Sequence, residues 1–100
     1  MIIVLAEATT RPDRIAALSD QLASACAASR QDSGCISYDF YGDLTDPTKV
    51  VAVERWESRE HLQAHLDTHH VRELSVALGK ALTGPPVTHV YDVVSGDDLG

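Results

Sequence analysis

Residues 50–70 constrain the fold more than any other part of the chain. Their sequence, VVAVERWESREHLQAHLDTHH, predicts a β-strand that is followed directly by a helix, because the β-branched valines favour a pleated strand. Side chains alternate along a strand, so Glu54 and Trp56 should share one face. An acid on an apolar face needs a partner or a purpose, since an unpaired buried carboxylate is costly.

The helix that follows this strand carries a histidine on its apolar side. Ser58 is the expected N-cap. Leu62, His65 and Leu66 are spaced by three and four residues, so His65 should face where the leucines face. We therefore expect the imidazole and the carboxylate of Glu54 to converge on one apolar space.

Composition limits the class of protein. With 100 residues the chain has room for one core, so we expect a single domain at 1–95 and a flexible tail at 96–100. A net charge of −7 with only eight Lys and Arg residues argues against a nucleic-acid partner. No apolar run reaches the length of a membrane helix and the start lacks a charged leader segment, so we expect a cytoplasmic protein without a membrane partner. Cys26 and Cys35 show no metal or redox spacing and are expected to be reduced core residues.

The pattern along the chain predicts the order strand, helix, strand, strand, helix, strand. The predicted elements are strands at 2–9, 35–41, 50–56 and 87–94, a helix from Pro12 to about Arg30, and a second helix that is interrupted at Asp67 and Thr68. Ile36, Tyr38 and Phe40 should share one face of the second strand. A polar loop is expected at 42–48.

This order is that of a ferredoxin-like fold, an α+β βαββαβ arrangement with a four-stranded antiparallel sheet and helices on one face. A first strand as apolar as residues 2–8 needs cover on both faces. The simplest cover for the second face is another copy of the chain. We therefore expect a homodimer through the sheet face, a dimeric α/β barrel.

Four segments, in this order, carry a resemblance to a known family: MIIVLAEATTRPDR, SGCISYDFYGDLTDPTKVVAVERW, HLQAHLDTHHV and LTGPPV. Together they resemble the antibiotic biosynthesis monooxygenase family of small dimeric α+β barrels, in particular the branch described as quinol monooxygenases. The resemblance implies that a quinol or polyphenolic aromatic substrate is oxygenated by O2 without a metal, flavin or other cofactor.

Such a reaction requires a base near neutrality, an apolar slot and exclusion of water. For the activity that the resemblance implies, we expect His65 to be the catalytic base and Glu54 to orient either His65 or the substrate. Trp56, with Tyr38 and Phe40, is expected to line the slot and stack on the aromatic ring.

Each of these residues also has a structural interpretation. His65 can be a hydrogen-bonded core histidine, Glu54 can form an inward salt bridge or hydrogen bond, and Trp56 can belong to the core. The corresponding alternative for the whole chain is a non-catalytic dimeric ligand-binding or stress-response module of the same fold. An apolar pocket beside His65 favours the enzyme, and a solid core there favours the module.

The histidine spacing and the family resemblance raise two further kinds of site, a metal site and a haem site. His61, His65 and His69 are spaced by four residues, as helical metal ligands can be, but the helix is expected to break before His69, so no metal is predicted. A haem-degrading branch of the family uses an asparagine, a tryptophan and a histidine. This chain contains no asparagine and has His65 and Ser75 where that pattern has Trp and His, so no haem is predicted.

Overall fold

The structure is a computed structural model that describes all 100 residues of the chain. Four strands and three helices make up the fold, and a short 3₁₀ turn at Pro12–Arg14 leads into the first helix. The strands are β1 (Ile2–Thr9), β2 (Cys35–Asp43), β3 (Asp46–Trp56) and β4 (Val87–Asp92), and the helices are α1 (Ile15–Ser29), α2 (Arg59–Leu66) and α3 (His69–Ala81).

The four strands form one antiparallel sheet in the order β2-β3-β1-β4. One helix follows β1 and two helices follow β3, and all three pack on the same face of the sheet. This is the ferredoxin-like arrangement that the sequence predicts.

The register of the sheet places the acid of β3 among apolar neighbours. Glu54 lies opposite Val4 of β1 and opposite Tyr38 of β2, while Trp56 lies opposite Ile2. All of these side chains point to the helices, because alternate residues of a strand share a face. The predicted common face of Glu54 and Trp56 is therefore the buried face of the sheet.

The core between the sheet and the helices consists of two clusters. The first surrounds Trp56, which is fully buried, and includes Ile2, Val4, Cys26, Tyr38 and Leu62. The second joins α1 to the end of α3 through Leu18, Leu22, Ala81 and Leu82. Burial of a large apolar side chain contributes roughly 1.5–3 kcal/mol relative to exposure, so both clusters hold the helices against the sheet.

The opposite face of the sheet has no helix over it. Ile3, Leu5, Val51 and Val53 are half-buried there, and Tyr41 and Tyr91 are exposed. Strand β4, at one edge of the sheet, is exposed along its whole length. No helix is both long enough and apolar enough to cross a membrane.

The strands differ in length from the sequence-based prediction. β2 continues to Asp43 and β3 begins at Asp46, so the predicted loop at 42–48 shrinks to a turn at 44–45. Pro47 is tolerated because it lies ahead of the part of β3 that pairs with β1. β4 ends two residues earlier than predicted. That residues 96–100 form a flexible tail stays a prediction.

Two apolar side chains face solvent where the sequence predicted otherwise. Ile36 was expected on the face of Tyr38, but it lies at an irregularity in the pairing of β2 with β3 and is 52% exposed, while Cys35 takes the place opposite Trp56. Leu66, the last residue of α2, is 48% exposed. A helix turns by about 100° per residue, which carries Leu66 away from the preceding buried histidine.

Candidate active site

Glu54 and Trp56 form a hydrogen-bonded pair at the end of β3. The indole Nε1 of Trp56 donates to Oε1 of Glu54 over 3.0 Å, and both side chains are buried. Burial raises the pKa of Glu54, and the hydrogen bond from Trp56 offsets part of this shift. The buried acid thus has a partner within its own strand.

His65 lies over this pair, on the inner side of α2. Its side chain is buried, and its ring centroid lies 4.4 Å from that of Trp56 and 5.4 Å from that of Tyr38. Nε2 of His65 is 4.0 Å from Oε1 of Glu54. The predicted convergence of the imidazole with the carboxylate therefore occurs, although this distance is too long for a hydrogen bond.

The local structure fixes where His65 points. Ser58 caps α2, as predicted, because its Oγ accepts a hydrogen bond from the backbone N–H of His61. Thr68 caps α3 in the same way and accepts from the N–H of Val71. The break at Thr68 leaves His65 near the end of one helix and His70 at the start of the next.

The other ring nitrogen of His65 contacts a residue that sequence analysis did not assign to the site. Nδ1 lies 2.7 Å from Oδ2 of Asp32, in the turn between α1 and β2. Nε2 of His70 lies 2.8 Å from the same oxygen. Asp32 lies beyond the predicted end of the first helix, and a turn has no periodicity that could have indicated the direction of its side chain.

Burial lowers the pKa of His65, although Asp32 opposes this shift. The imidazole is therefore neutral at neutral pH, and one of its nitrogens is free to accept a proton. A neutral histidine beside a carboxylate and two aromatic rings can act as a general base toward an acidic hydroxyl group.

The arrangement of the histidines does not support the metal site considered from their spacing. His61 contacts Ser58, His65 contacts Asp32, and His69 contacts Glu73, so the three rings have different partners. Asp32, His65 and His70 do bring three donor atoms within 4.8 Å of one another. The two histidine nitrogens lie at hydrogen-bond distance from the same carboxylate oxygen of Asp32, so these three residues form a hydrogen-bonded network.

Tyr38 and Phe40 continue the aromatic row along β2, with ring centroids 5.7 Å apart. Burial raises the pKa of Tyr38, and the nearby Glu54 raises it further, so the phenol stays protonated. Phe40 lines a cavity of about 430 Å³ between α1 and the sheet, together with Leu18, Leu22, Cys26 and Val50. Arg30 and Asp39, which form an ion pair, lie at the same cavity.

The predicted site residues thus fall into two groups. Glu54, Trp56 and His65 lie together in a closed core and line none of the three main cavities, whereas Phe40 lines an open one. Tyr38 connects the groups, because its ring contacts both Phe40 and His65. Both cysteines are free; Cys26 is buried and Cys35 is half-buried.

Comparison with known proteins places the chain in a family. The family described as "Antibiotic biosynthesis monooxygenase" matches residues 1–75. The "Probable quinol monooxygenase YgiN" of Escherichia coli is 34% identical over an alignment of 88 residues, which covers 78% of this chain and 85% of that protein. The "Putative monooxygenase Rv0793" of Mycobacterium tuberculosis is 33% identical over 84 residues, which covers 84% of this chain and 82% of that protein.

Solved structures show the same fold. The structure of Rv0793 superposes with a TM-score of 0.89 at 29% identity and covers 97% of this chain and 98% of its own. A family structure from Deinococcus radiodurans reaches a TM-score of 0.93 at 23% identity, with coverage of 100% and 99%, and supports the fold alone. On the match over residues 1–75, this chain belongs to the antibiotic biosynthesis monooxygenase family.

Proposed function

We propose that the protein is a monooxygenase that oxidises a quinol or related polyphenolic aromatic with O2 and needs no metal or flavin. The observation that carries the proposal is the buried imidazole of His65, which lies against Trp56 and faces the carboxylate of Glu54, and whose pKa is lowered by burial. The name of the Escherichia coli relative indicates the same class of substrate.

The proposed reaction begins with proton transfer. A substrate phenol has a pKa of about 10. His65 takes its proton at Nε2, and the resulting phenolate passes one electron to O2. Recombination of the two radicals forms a carbon–oxygen bond, and the imidazolium returns its proton to the peroxide anion. The hydroperoxide then eliminates water: its O–O bond breaks, the departing hydroxide takes the hydrogen of the same ring carbon, and that carbon becomes a new quinone carbonyl group. His65 is regenerated, and O2 supplies one oxygen atom to the product and one to water.

Glu54 and the aromatic residues have supporting roles in this proposal. Glu54 accepts from Trp56 and lies beside Nε2 of His65, so it is placed to orient a substrate hydroxyl group. The cavity of about 430 Å³ has the size of a small-ligand site and an apolar wall that includes Phe40. The side chain of Tyr38 must move aside for a substrate ring to pass from this cavity to His65, because the Tyr38 ring contacts both Phe40 and His65.

A second candidate function is a non-catalytic ligand-binding module of the same fold. The observation that favours it is the closed packing around the base, where Trp56 is fully buried and His65 is only 3% exposed. In this alternative the cavity beside Phe40 binds a small apolar ligand, and His65 is a core residue held by Asp32.

The homodimer is also part of the proposal. The half-buried apolar residues of the uncovered sheet face, with Leu5 and Val53 directly opposite each other on neighbouring strands, are a surface that a second copy would cover.

Oxygen uptake with chelator-treated protein and a chemically reduced naphthoquinol tests the proposed activity. We compare the wild type with His65→Asn, whose amide can keep the hydrogen bond to Asp32 but cannot act as a base. We expect uptake above the uncatalysed rate in the wild type and a loss of about 10²-fold or more in the variant. His69→Gln is the matched control, because His69 is exposed and contacts only Glu73 among charged groups.

The outcomes separate the two candidate functions. Oxygen uptake that persists in His65→Asn would support an enzyme but exclude His65 as its base, and Glu54 would be the next candidate. Absence of uptake over a panel of quinols, combined with binding of the same quinols to the cavity, would favour the ligand-binding module.

A further inference from the structure

Asp32 is shared by two histidines that come from different helices. Its Oδ2 lies 2.7 Å from Nδ1 of His65 and 2.8 Å from Nε2 of His70. His65 is buried, whereas the side chain of His70 is 26% exposed. The sequence distance is 33 residues to His65 and 38 to His70, so the fold alone brings the three groups together.

The donor and acceptor inventory determines where the protons lie. A carboxylate oxygen only accepts hydrogen bonds, so each nitrogen that meets Oδ2 of Asp32 must carry a proton. A neutral imidazole has one N–H group. If that group is at Nδ1 of His65, then Nε2 is unprotonated, and this is the nitrogen that lies 4.0 Å from Glu54.

We propose that Asp32 is a positioning residue for His65: it holds the imidazole in the tautomer with its proton on Nδ1 and thereby makes Nε2 the proton acceptor. His70 supports this arrangement because its N–H group donates to the same oxygen and restrains the carboxylate. The catalytic consequence rests on the proposed function, whereas the tautomer itself does not.

Asp32 and Glu54 favour opposite tautomers of His65. The carboxyl group of Glu54 lies on the Nε2 side of the ring and would attract a proton there if Asp32 were absent. Asp32 prevails because its contact is at hydrogen-bond distance and that of Glu54 is not. The titratable groups around His65 are Asp32 from the turn, Tyr38 from β2, Glu54 from β3 and His70 from α3.

The tautomer can be measured directly by NMR on the full-length ¹⁵N-labelled chain. Two-bond ¹H–¹⁵N correlation spectra distinguish protonated from unprotonated imidazole nitrogens. They are recorded at about pH 8, above the ordinary histidine pKa of about 6.5. His65→Asn identifies the signals of His65 by their loss. We expect a protonated Nδ1 and an unprotonated Nε2 in the wild type.

Three variants test the cause of this tautomer. We expect Asp32→Ala to move the proton of His65 to Nε2, where it faces Glu54. His70→Gln retains an N–H donor toward Asp32 and should leave the tautomer unchanged, whereas His70→Leu removes the donor and should populate both tautomers. His69→Gln is the control for a neighbouring histidine that does not contact Asp32, and we expect no change at His65.

Several results would overturn the proposal. A protonated Nε2 in the wild type would do so without any variant, which keeps the test decisive even if Asp32→Ala does not fold. An unchanged tautomer in folded Asp32→Ala would also reject it. An unchanged tautomer in His70→Leu would reject the supporting role of His70.

Kinetics separate positioning from mere structural support. We expect Asp32→Ala to lower kcat for O2 uptake by roughly tenfold to 10²-fold with KM within about twofold of the wild type. A displaced proton with unchanged kcat would reject the catalytic role. If the wild type shows no uptake with any quinol, the proposed function fails while the NMR result still decides the tautomer.

Discussion

At the scale of the residue, His65 is a titratable group that the fold keeps neutral. Burial disfavours its charged form more than the carboxylate of Asp32 favours it, so its pKa lies below the ordinary value. A base that is neutral at neutral pH can accept a proton from a substrate. The same shift also predicts how stability depends on pH.

We expect the contribution of His65 to the free energy of unfolding to fall as the pH drops below about 6.5. Since the pKa of His65 is lowered in the folded state, the unfolded state binds more protons in this window. His65 thus contributes stability above its unfolded pKa that is lost as the pH falls through its folded pKa. The slope for one proton is at most about 1.4 kcal/mol per pH unit.

Urea unfolding over a pH series in the wild type and in His65→Asn measures this contribution. The difference between the two curves isolates His65 from Glu54, whose raised pKa gives a slope of opposite sign. His69→Gln should follow the wild type, because that side chain is exposed. Parallel curves for the wild type and His65→Asn would contradict the prediction.

At the scale of the element, the turn between α1 and β2 brings Asp32 to His65. The N–H of Asp32 donates to the carbonyl of Ser29, and the N–H of Cys35 donates to the carbonyl of Asp32. Gly34 closes the turn with a positive φ of 79°, which other residues adopt at a cost. The turn therefore positions the carboxylate that holds His65.

We expect Gly34→Ala to destabilise the protein by more than about 2 kcal/mol. The left-handed conformation costs roughly 1–2 kcal/mol for a residue with a Cβ. A Cβ at this position would in addition overlap the side chain of His61. Chemical denaturation measures the change, and the NMR signals of His65 report whether Asp32 has moved.

Two variants separate the contributions to this effect. Gly34→Ala combined with His61→Ala removes the overlap with the ring of His61 but keeps the contact with its Cβ, so it should recover only part of the loss. Gly79→Ala is a control of opposite sign, because Gly79 lies within α3 with open space around it, and an alanine there should stabilise the helix by roughly 0.5–1 kcal/mol. Equal stability of Gly34→Ala and the wild type would refute the role of this turn.

The same elements show what the sequence can predict. Alternation in β3 correctly placed Glu54 and Trp56, and helical spacing correctly turned His65 toward them, because both periods are properties of regular backbone. The role of Asp32 could not be predicted, because side chains in a turn follow no regular spacing and its partner His65 lies 33 residues further along the chain. Ile36 was misplaced because an irregularity in the pairing of β2 shifts the alternation by one residue.

At the scale of the whole molecule, the sheet is only half covered. The helices cover one face, while the other face presents half-buried Ile3, Leu5 and Val53 to solvent. Strand β4 pairs only with β1 and exposes Val87 and Tyr91. Large contiguous apolar patches are uncommon on the surface of monomers, so the arrangement favours a second copy of the chain as the cover.

We expect light scattering after size exclusion to give twice the chain mass of 10.8 kDa for the wild type. Leu5→Lys should be monomeric at the same concentration. Leu5 lies at the middle of the uncovered face, opposite Val53 on one side and His89 on the other, and an unpaired charge buried there in a dimer would be strongly unfavourable.

A matched surface substitution distinguishes the interface from a general effect of charge. Gln21→Lys replaces an exposed neutral residue of α1 with lysine and should remain dimeric, because α1 lies on the covered side of the sheet. Circular dichroism establishes that Leu5→Lys is folded before its mass is interpreted. A monomeric wild type, or a folded Leu5→Lys that still forms dimers, would exclude this face as the interface. The apolar residues of that face would then require a partner other than a second copy of the chain.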